Sequence, residues 1–338
     1  MMRRAYFLVI MIVLIGLLAS SVAFADDVIE LKLAHFMPTM HVQHREAFEP
    51  FAQKVDELSG GKVKVKIFPG ATLGNPKTMV DSIRTGITDI GFVLPSYVPG
   101  RFPRTSVFEL PFIFDSATHV AKVFYDNYDN YFAEDYKGFK VLWVLSSPLS
   151  LCQTLKKEVL TAEDFVGMKI RSGGAKETEG IKLLGGNPIG MPISELSISL
   201  QKGVVDGAFT PYAALNSHKL VDVVKHITEV NYSGAIMVVL MNKKKWESLP
   251  DFAKEAIDQA ATKEFGLQAA QAFDNEDLEN IELGKEKGIE IHILPEEETA
   301  KIREKISIIW TNWVEENASN FPAREVLDAI LTSAEANK

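Results

Sequence analysis

Short stretches of alternating apolar and polar residues recur along the chain, and helical patterns separate them. Over Ile29–Ala34 and Val63–Phe68 every second side chain is apolar, which predicts two strands with one buried face each. Between them, apolar residues recur at helical spacing over 48–58, and Gly60 and Gly61 end that helix. Strands that alternate with helices are typical of parallel βαβ units, so the pattern predicts an α/β protein.

The pattern also predicts that the chain passes twice between two domains. A strand predicted at 140–145 precedes the first crossing, and an apolar strand at 236–241 returns to the first domain. A charged helical pattern without proline over 252–287 is too long for one small domain, so we expect one helix to span both. A further helix is predicted at 296–321. The predicted fold is α/β with two domains, hinge strands and a long domain-spanning helix.

The length of the chain supports this division. A chain of 338 residues is long enough for two domains, and 46% hydrophobic residues can form a sizeable core. We expect domain I to comprise 26–148 plus 236–275 and domain II to comprise 149–235 plus 276–338. A ligand cleft is expected between them.

The first 25 residues are typical of a secretory signal peptide. Arg3 and Arg4 precede an almost unbroken apolar run over 5–20, and an A-x-A cleavage motif ends at Ala25. An uncleaved membrane anchor is the alternative, but the run is slightly short for a membrane span and ends in a cleavage motif. We therefore expect cleavage after Ala25 and a periplasmic mature protein.

Charge and cysteine content narrow the class further. The net charge is −9, and the first 25 residues hold only Arg3 and Arg4 among the charged residues. Without them, 34 basic residues face 45 acidic ones, a net charge of −11. So acidic a chain lacks the basic surface of a nucleic-acid binder. The single cysteine, Cys152, cannot form an internal disulfide, which suits an exported bacterial protein.

No set of residues in the sequence indicates covalent chemistry. No nucleophile–base pair stands out, and the G-x-S-x-G hydrolase motif is absent. His35, His41 and His44 are close together, but they lack the compact spacing and cysteine partners of structural zinc sites. We interpret them as loop and helix-surface histidines. We expect neither an enzyme nor a resident metal or cofactor.

The most informative stretch contains Arg171. Alternation predicts a short strand over 168–171 with Arg171 at its carboxyl end, where open α/β sheets bind small molecules. Gly173 and Gly174 follow, so the backbone can turn sharply and approach a ligand closely. The planar fork of arginine donors matches a carboxylate in a bidentate way. The alternative is a surface arginine that merely follows a strand.

Three ordered motifs surround this arginine. They are Gly-Met-Lys-Ile-Arg at 167–171, Gly-Asn-Pro-Ile-Gly-Met at 186–191 leading to Glu195, and Leu-Gln-Lys-Gly-Val-Val-Asp-Gly at 200–207. In this order the chain resembles the DctP family, the solute-binding proteins of tripartite ATP-independent periplasmic (TRAP) transporters. The resemblance implies a periplasmic-binding-protein (Venus-flytrap) fold that closes around a carboxylate. It also implies a sodium-coupled permease with small and large subunits as partner. The alternative partner is a receptor kinase, with the chain as its ligand-sensing subunit.

The resemblance also carries pocket positions onto this sequence. Where sugar-acid-binding members have polar or charged groups, this chain has residues of mostly lower polarity. With Arg171 as the cation, we therefore expect a small, fairly apolar monocarboxylate ligand. Whether Lys169, Tyr212 or Tyr232 enters the cleft stays open. The other predicted ligand contacts are Phe36, Leu94, Tyr97, Leu151, Ile193 and Thr210.

Overall fold

The computed structural model describes residues 28–338 and has two β-sheets, each packed against helices. The predicted signal peptide, residues 1–25, lies outside the described residues. Within 28–338 no helix is long and apolar enough to cross a membrane. The strands are β1 (Ile29–Ala34), β2 (Val63–Phe68), β3 (Ile90–Val93), β4 (Phe139–Ser146), β5 (Leu151–Thr154), β6 (Lys169–Ser172), β7 (Asn187–Gly190), β8 (Gly207–Thr210), β9 (His226–Thr228), β10 (Ile236–Asn242) and β11 (Glu290–His292).

Helices of very different lengths connect these strands. The longest follows β10 and leads to β11. The α-helices are α1 (Glu49–Leu58), α2 (Met79–Thr85), α3 (Ala117–Asn127), α4 (Ala133–Tyr136), α5 (Ala175–Leu183), α6 (Leu196–Gln201), α7 (Ala214–Ser217), α8 (Lys243–Ser248), α9 (Asp251–Ala260), α10 (Lys263–Glu286), α11 (Glu296–Ile306), α12 (Ile308–Asn317) and α13 (Ala323–Ala336).

Both sheets are mostly parallel, and each contains one strand that runs against its neighbours. The first sheet has the order β2-β1-β3-β10-β4, with β10 antiparallel to β3 and β4. The second has the order β11-β9-β5-β8-β6-β7, with β5 antiparallel to β8 and β9. The reversed strands, β5 and β10, are those that the chain enters after the segments 147–150 and 231–235. A third passage, through α10, leads to β11, which is parallel to β9.

The two crossings run side by side and are hydrogen-bonded to each other. The Ser147 N–H donates to the Ala235 carbonyl at 3.0 Å, and the Ala235 N–H donates to Ser147 Oγ at 2.9 Å. The Ser150 N–H donates to the Ser233 carbonyl, and the Tyr232 N–H donates to the Ser150 carbonyl, both at 2.9 Å. These bonds make a narrow double-stranded hinge between the sheets.

The long helix is shorter than the pattern predicted, although it contacts both sheets. The predicted helix over 252–287 is interrupted at Ala261, because the Thr262 side chain accepts a hydrogen bond from the Phe265 N–H and begins a new helix. The second part, α10, has 24 residues and is about 36 Å long. It contacts α3 and β4 beside the first sheet, and α7 and β11 beside the second. The helix predicted at 296–321 is likewise interrupted, at Ser307.

The C-terminal region lies across the boundary between the sheets. Trp310 donates its indole N–H to the Pro111 carbonyl, and Trp313 donates to Ser106 Oγ. Helix α13 packs on α3, which lies beside the first sheet. The division of the chain into 26–148 plus 236–275 and 149–235 plus 276–338 stays a prediction, and its last segment contacts both halves.

We predict that Gly266→Ala will destabilise the protein through the contact between α10 and the first sheet. A Cβ atom at Gly266 would lie 2.0 Å from the Tyr125 hydroxyl and 2.6 Å from the Val144 carbonyl oxygen. Overpacking of this kind costs about 1–3 kcal/mol of unfolding free energy. Denaturant unfolding measures the difference.

Gly284→Ala, on the same helix, is the matched control. The nearest atom to its added methyl group would be 3.5 Å away, an ordinary contact. Replacing a helical glycine with alanine then stabilises by up to about 1 kcal/mol. Equal effects of the two substitutions would contradict the close approach of α10 to β4.

Candidate ligand-binding site

A cavity opens between the two sheets beside the hinge. It contains about 690 Å³ of space free of atoms, including its open mouth. Both sheets, both crossing segments and the long helix contribute to its wall. The lining residues are Met37, His41, Leu94, Ser96, Tyr97, Glu109, Ser147, Ser150, Arg171, Gly173, Gly174, Glu177, Ile193, Thr210, Pro211, Ala214, His218, Ser233, Gly234, Ala235, Met237 and Phe273.

Arg171 is buried at the inner wall, with 4% of its surface exposed. Its Nε–H donates to the Met191 carbonyl at 3.0 Å, and its Nη1 donates to the Phe209 carbonyl at 2.9 Å. Its Nη2 donates to the Tyr97 hydroxyl at 3.0 Å. A guanidinium has five N–H donors, so two remain after these three hydrogen bonds.

The glycine that follows the strand leaves room for the guanidinium in this position. A Cβ atom at Gly173 would lie 3.0 Å from Nη2 and 3.1 Å from Nη1 of Arg171, so glycine leaves room for the group. Strand β7 ends just before Met191, and β8 contains Phe209, so the two neighbours of β6 each supply a carbonyl acceptor. These carbonyls fix the side chain without neutralising it.

The charge of Arg171 has no anionic partner in the part of the chain that the structure describes. None of its nitrogens lies within 4.0 Å of a carboxylate oxygen of residues 28–338. The acceptors it does have are two carbonyls and a phenol, all uncharged. A buried charge without a counter-charge is costly, and an anion in the cavity would relieve that cost.

Tyr97 connects the first sheet to this arginine. It lies in a short 3₁₀ turn, Pro95–Tyr97, directly after β3. Its hydroxyl oxygen accepts from Arg171 Nη2 and from the Ile193 N–H, both at 3.0 Å. Both lone pairs are then occupied, so the hydroxyl proton is available to donate to a third group. The side chain therefore joins the two halves of the cavity wall.

Two carboxyl groups also line the cavity, and the sequence comparison missed both. Burial, with a smaller contribution from the nearby Glu177, raises the pKa of Glu109 to about 7, against the opposing effect of the N–H groups that begin α5. Glu109 Oε2 is buried without a hydrogen-bond partner among the described residues. Glu177 accepts from the Gly173 N–H at 2.6 Å and from Ser150 Oγ at 2.7 Å. Burial raises its pKa too, against the opposing effect of Arg171.

The histidines occupy different positions from those predicted. His35 and His41 lie in the loop after β1 and His44 in the helical segment before α1, but all three are buried, so the predicted surface positions are wrong. His41 lines the cavity together with His218. Burial lowers the pKa of His41 well below its usual value, with a smaller contribution from His218. His41 Nδ1 accepts from the Gln43 N–H, so its neutral ring carries the proton on Nε2.

His218 belongs to the opposite half of the wall, after α7. Burial lowers its pKa to about 4, with a contribution from the positive charge of Arg171. Both rings are therefore neutral donors and acceptors near pH 7. They could not have been assigned to the site from sequence, because 177 positions separate them and only the fold places their centroids 5.9 Å apart.

The predicted contact residues divide into two groups. Arg171, Leu94, Tyr97, Ile193 and Thr210 all line the cavity. Phe36 and Leu151 do not. Ligand contact stays a prediction for all seven residues.

Phe36 and Leu151 do not line the cavity. The Phe36 ring packs behind Tyr97, with ring centroids 5.9 Å apart, and so supports that side chain. Leu151 lies in the ladder opposite Thr210 and faces a separate depression in the surface.

The three residues left open in the sequence also lie outside the cavity lining. Lys169 donates to the Gly203 carbonyl at 2.7 Å. Tyr212 donates to Glu229 Oε1 at 2.9 Å, and Tyr232 donates to the Lys176 carbonyl at 2.6 Å. Each polar end therefore has a partner away from the cavity.

The geometry defines a protein that binds a small anion between two sheets joined by a hinge. The sequence profile of DctP, bacterial extracellular solute-binding protein family 7, matches residues 33–317. The chain therefore belongs to the DctP family, as the three motifs predicted. Members are solute receptors of transporters and not enzymes, which confirms that prediction.

Solved structures and curated relatives support the fold. A TRAP solute-binding protein from an unidentified marine microbe, specific for aromatic acid ligands and bound to 3-hydroxybenzoate, has a TM-score of 0.88 and 30% identity; the match covers 92% of this chain and 99% of that one. A TRAP solute-binding protein of Bordetella bronchiseptica with bound mandelate has a TM-score of 0.84 and 26% identity, covering 92% and 100%.

A third relative binds a different kind of acid. The 2,3-diketo-L-gulonate-binding periplasmic protein YiaO of Escherichia coli is 26% identical over 72% of this chain and 75% of its own length. The comparisons confirm the two-domain α/β fold and small organic acids as the ligand class.

The raised pKa of Glu109 predicts a pH-dependent stability. Its folded pKa of about 7 exceeds the ordinary 4.5, so between these values the folded state binds more protons than the unfolded state. The free energy of unfolding therefore falls as pH rises from 4.5 to about 7. Glu109→Gln should lose less stability over this range than the unchanged protein.

Denaturant unfolding at a series of pH values measures both proteins. Glu177 and other carboxyls with raised pKa are present in each, so the difference between the two curves isolates Glu109. Parallel curves would show that Glu109 is already ionised at the low end of the range.

Proposed function

We propose that this protein is the periplasmic receptor of a TRAP transporter for a small aromatic monocarboxylate. Its ligand is a single carboxylate on a largely apolar ring, bound to Arg171 in the cavity between the sheets. The receptor then delivers it to the membrane permease subunits. The segment 1–25 directs export and is removed after Ala25.

One observation carries this proposal: Arg171 is buried, charged and without an anionic partner among residues 28–338. Its two remaining N–H donors are the number that a carboxylate accepts in a bidentate pair. The neighbouring Tyr97 has a hydroxyl proton to donate to the same group. A carboxylate of the ligand satisfies all these donors at once.

The rest of the wall supports an apolar body. Leu94 and Ile193 flank the arginine, and Met37, Met237 and Phe273 extend the apolar surface. An aromatic ring against Phe273 would gain about 0.5–1.5 kcal/mol beyond the burial of its area. His41 and His218 supply neutral donors and acceptors for a ring hydroxyl or a similar group.

The ligands of relatives favour the same class. The marine protein is specific for aromatic acids, and the Bordetella protein has mandelate bound. Both cover more than nine-tenths of this chain. The sugar-acid ligand of the Escherichia coli relative represents the alternative class of ligand.

The charges of the wall disfavour dianions. Glu109 and Glu177 share the cavity with Arg171, so a second ligand carboxylate would face negative rather than positive groups. An unpaired second charge in a closed pocket costs several kcal/mol. Succinate should therefore bind much more weakly than benzoate.

A thermal-shift screen tests the ligand class. Benzoate, 3-hydroxybenzoate, phenylpyruvate and 2-oxoisocaproate are compared with succinate, galactonate and a sialic acid. We expect the aromatic acids to raise the melting temperature most, since ligand at a hundred times its Kd adds about 2.7 kcal/mol of stability. A strong shift with succinate or a sugar acid, and none with aromatic acids, would contradict the proposed ligand.

Arg171→Lys tests the recognition group and keeps its positive charge. An ammonium group cannot pair both oxygens of a carboxylate or replace the three hydrogen bonds to Met191, Phe209 and Tyr97. We expect benzoate affinity to fall by about 2–5 kcal/mol in Arg171→Ala, roughly thirty- to several-thousand-fold, and by less in Arg171→Lys.

Titration calorimetry measures all variants, with circular dichroism to verify folding. Arg101→Lys is the matched control, because Arg101 makes a surface ion pair with Asp81 away from the cavity. It should bind like the unchanged protein. Unaltered affinity in Arg171→Ala would remove Arg171 from the site.

A further inference from the structure

A second group of chemically active side chains lies at the outer edge of the second sheet. It comprises His226 on β9, Glu290 and His292 on β11, and Glu158 in the loop after β5. None of the four lines the cavity around Arg171. One ligand atom from each lies within 4.8 Å of the others.

His226 Nδ1 lies close to two of the other ligand atoms. His226 Nδ1 is 3.3 Å from His292 Nε2 and 3.5 Å from Glu290 Oε2. In a tetrahedral zinc site with bonds of 2.0–2.1 Å, neighbouring ligand atoms are about 3.3 Å apart. The two measured separations are close to this edge length, and the remaining ones are within 4.8 Å, so the side chains must move closer together to bind a small ion.

A hydrogen bond between the two histidine rings, without a metal ion, explains fewer of these distances. It accounts for the distance between His226 and His292, but not for the position of Glu158, whose ligand atom lies within 4.8 Å of the others. Another close histidine pair has a different arrangement. His44 contacts His35 through Nδ1 and Glu49 through Nε2, on opposite sides of its ring, so those ligands do not converge.

Backbone hydrogen bonds hold the three segments in register. The Glu290 N–H donates to the Lys225 carbonyl, and the Glu229 N–H donates to the His292 carbonyl, both at 2.9 Å. Thr228 Oγ1 donates to the Val159 carbonyl at 2.7 Å, next to Glu158. These bonds fix the backbone of the three segments, whereas the exposed side chains of Glu158 and Glu290 must be ordered by a bound ion.

We propose that Glu158, His226, Glu290 and His292 form a binding site for a divalent transition metal, with zinc as the preferred ion. Imidazole together with carboxylate suits zinc, whereas magnesium and calcium prefer oxygen ligands alone. The site lies where β11 follows α10, the helix that contacts both sheets. A bound ion clamps the edge strand β11 to β9 and β5, and so fixes the end of α10 on the second sheet.

Calorimetry with zinc chloride on chelator-treated full-length protein tests the site. We expect one zinc ion per chain and a rise in melting temperature of about 5 °C at saturating zinc. The double substitution His226→Gln with His292→Gln should weaken binding at least about a hundredfold and remove the thermal shift. Glu297→Gln is the control, because this exposed carboxylate is paired with Lys301 in α11 and should not affect binding.

Cobalt chloride gives a second readout that does not depend on stability. Cobalt in a tetrahedral nitrogen and oxygen site has strong visible absorption bands, which should appear with the unchanged protein and Glu297→Gln but not with the double variant. Absence of zinc binding to the unchanged protein overturns the proposal, as does equal binding by the folded double variant. One zinc ion per two chains, with dimer formation, would overturn the closed site within a single chain.

Discussion

The cavity depends on one buried guanidinium that the fold holds rigidly without neutralising it. Arg171 donates to the carbonyls of Met191 and Phe209, which lie beside its own strand on either side. Carbonyl acceptors satisfy hydrogen-bonding groups but leave the net charge in place. The remaining donors suit an anion at this point of the wall, because the guanidinium has no carboxylate oxygen within 4.0 Å among residues 28–338. The apolar residues of the wall then favour an apolar body for the ligand that carries the anionic group.

The same guanidinium couples recognition to the arrangement of the two sheets. Arg171 lies on β6 of the second sheet and Ile193 in the turn after β7, and both donate to the hydroxyl of Tyr97, which follows β3 of the first. Because Tyr97 then has its own proton to donate, one ligand group can contact both halves of the wall. A ligand that favours this arrangement shifts the population toward it by its differential affinity, and the narrow hinge of Ser147 and Ala235 permits the movement.

The sequence predicted the fold and the arginine because both leave local signals. The three motifs that identified the family are the segments that surround Arg171: the first contains it, the second ends at Met191, and the third leads into β8 with Phe209. What local patterns could not predict were the features set by distant contacts. Glu109, His41 and His218 reach the cavity only through the folding of separate segments. The threonine cap at Thr262, by contrast, interrupts the helical pattern locally.

The missed carboxyls also change the electrostatic argument about selectivity. With the low polarity of Leu94 and Ile193 alone, a dianion would be excluded only for want of a second cation. An ionised Glu109 or Glu177 in the same cavity would also repel it, although burial raises the pKa of both groups and so favours their neutral forms. A protonated Glu109 can donate to a ligand oxygen, and an ionised one can accept from a hydroxyl. On the proposed function, the wall would accept a neutral polar substituent on the ring and disfavour a second charge, a distinction that apolar packing alone would not make.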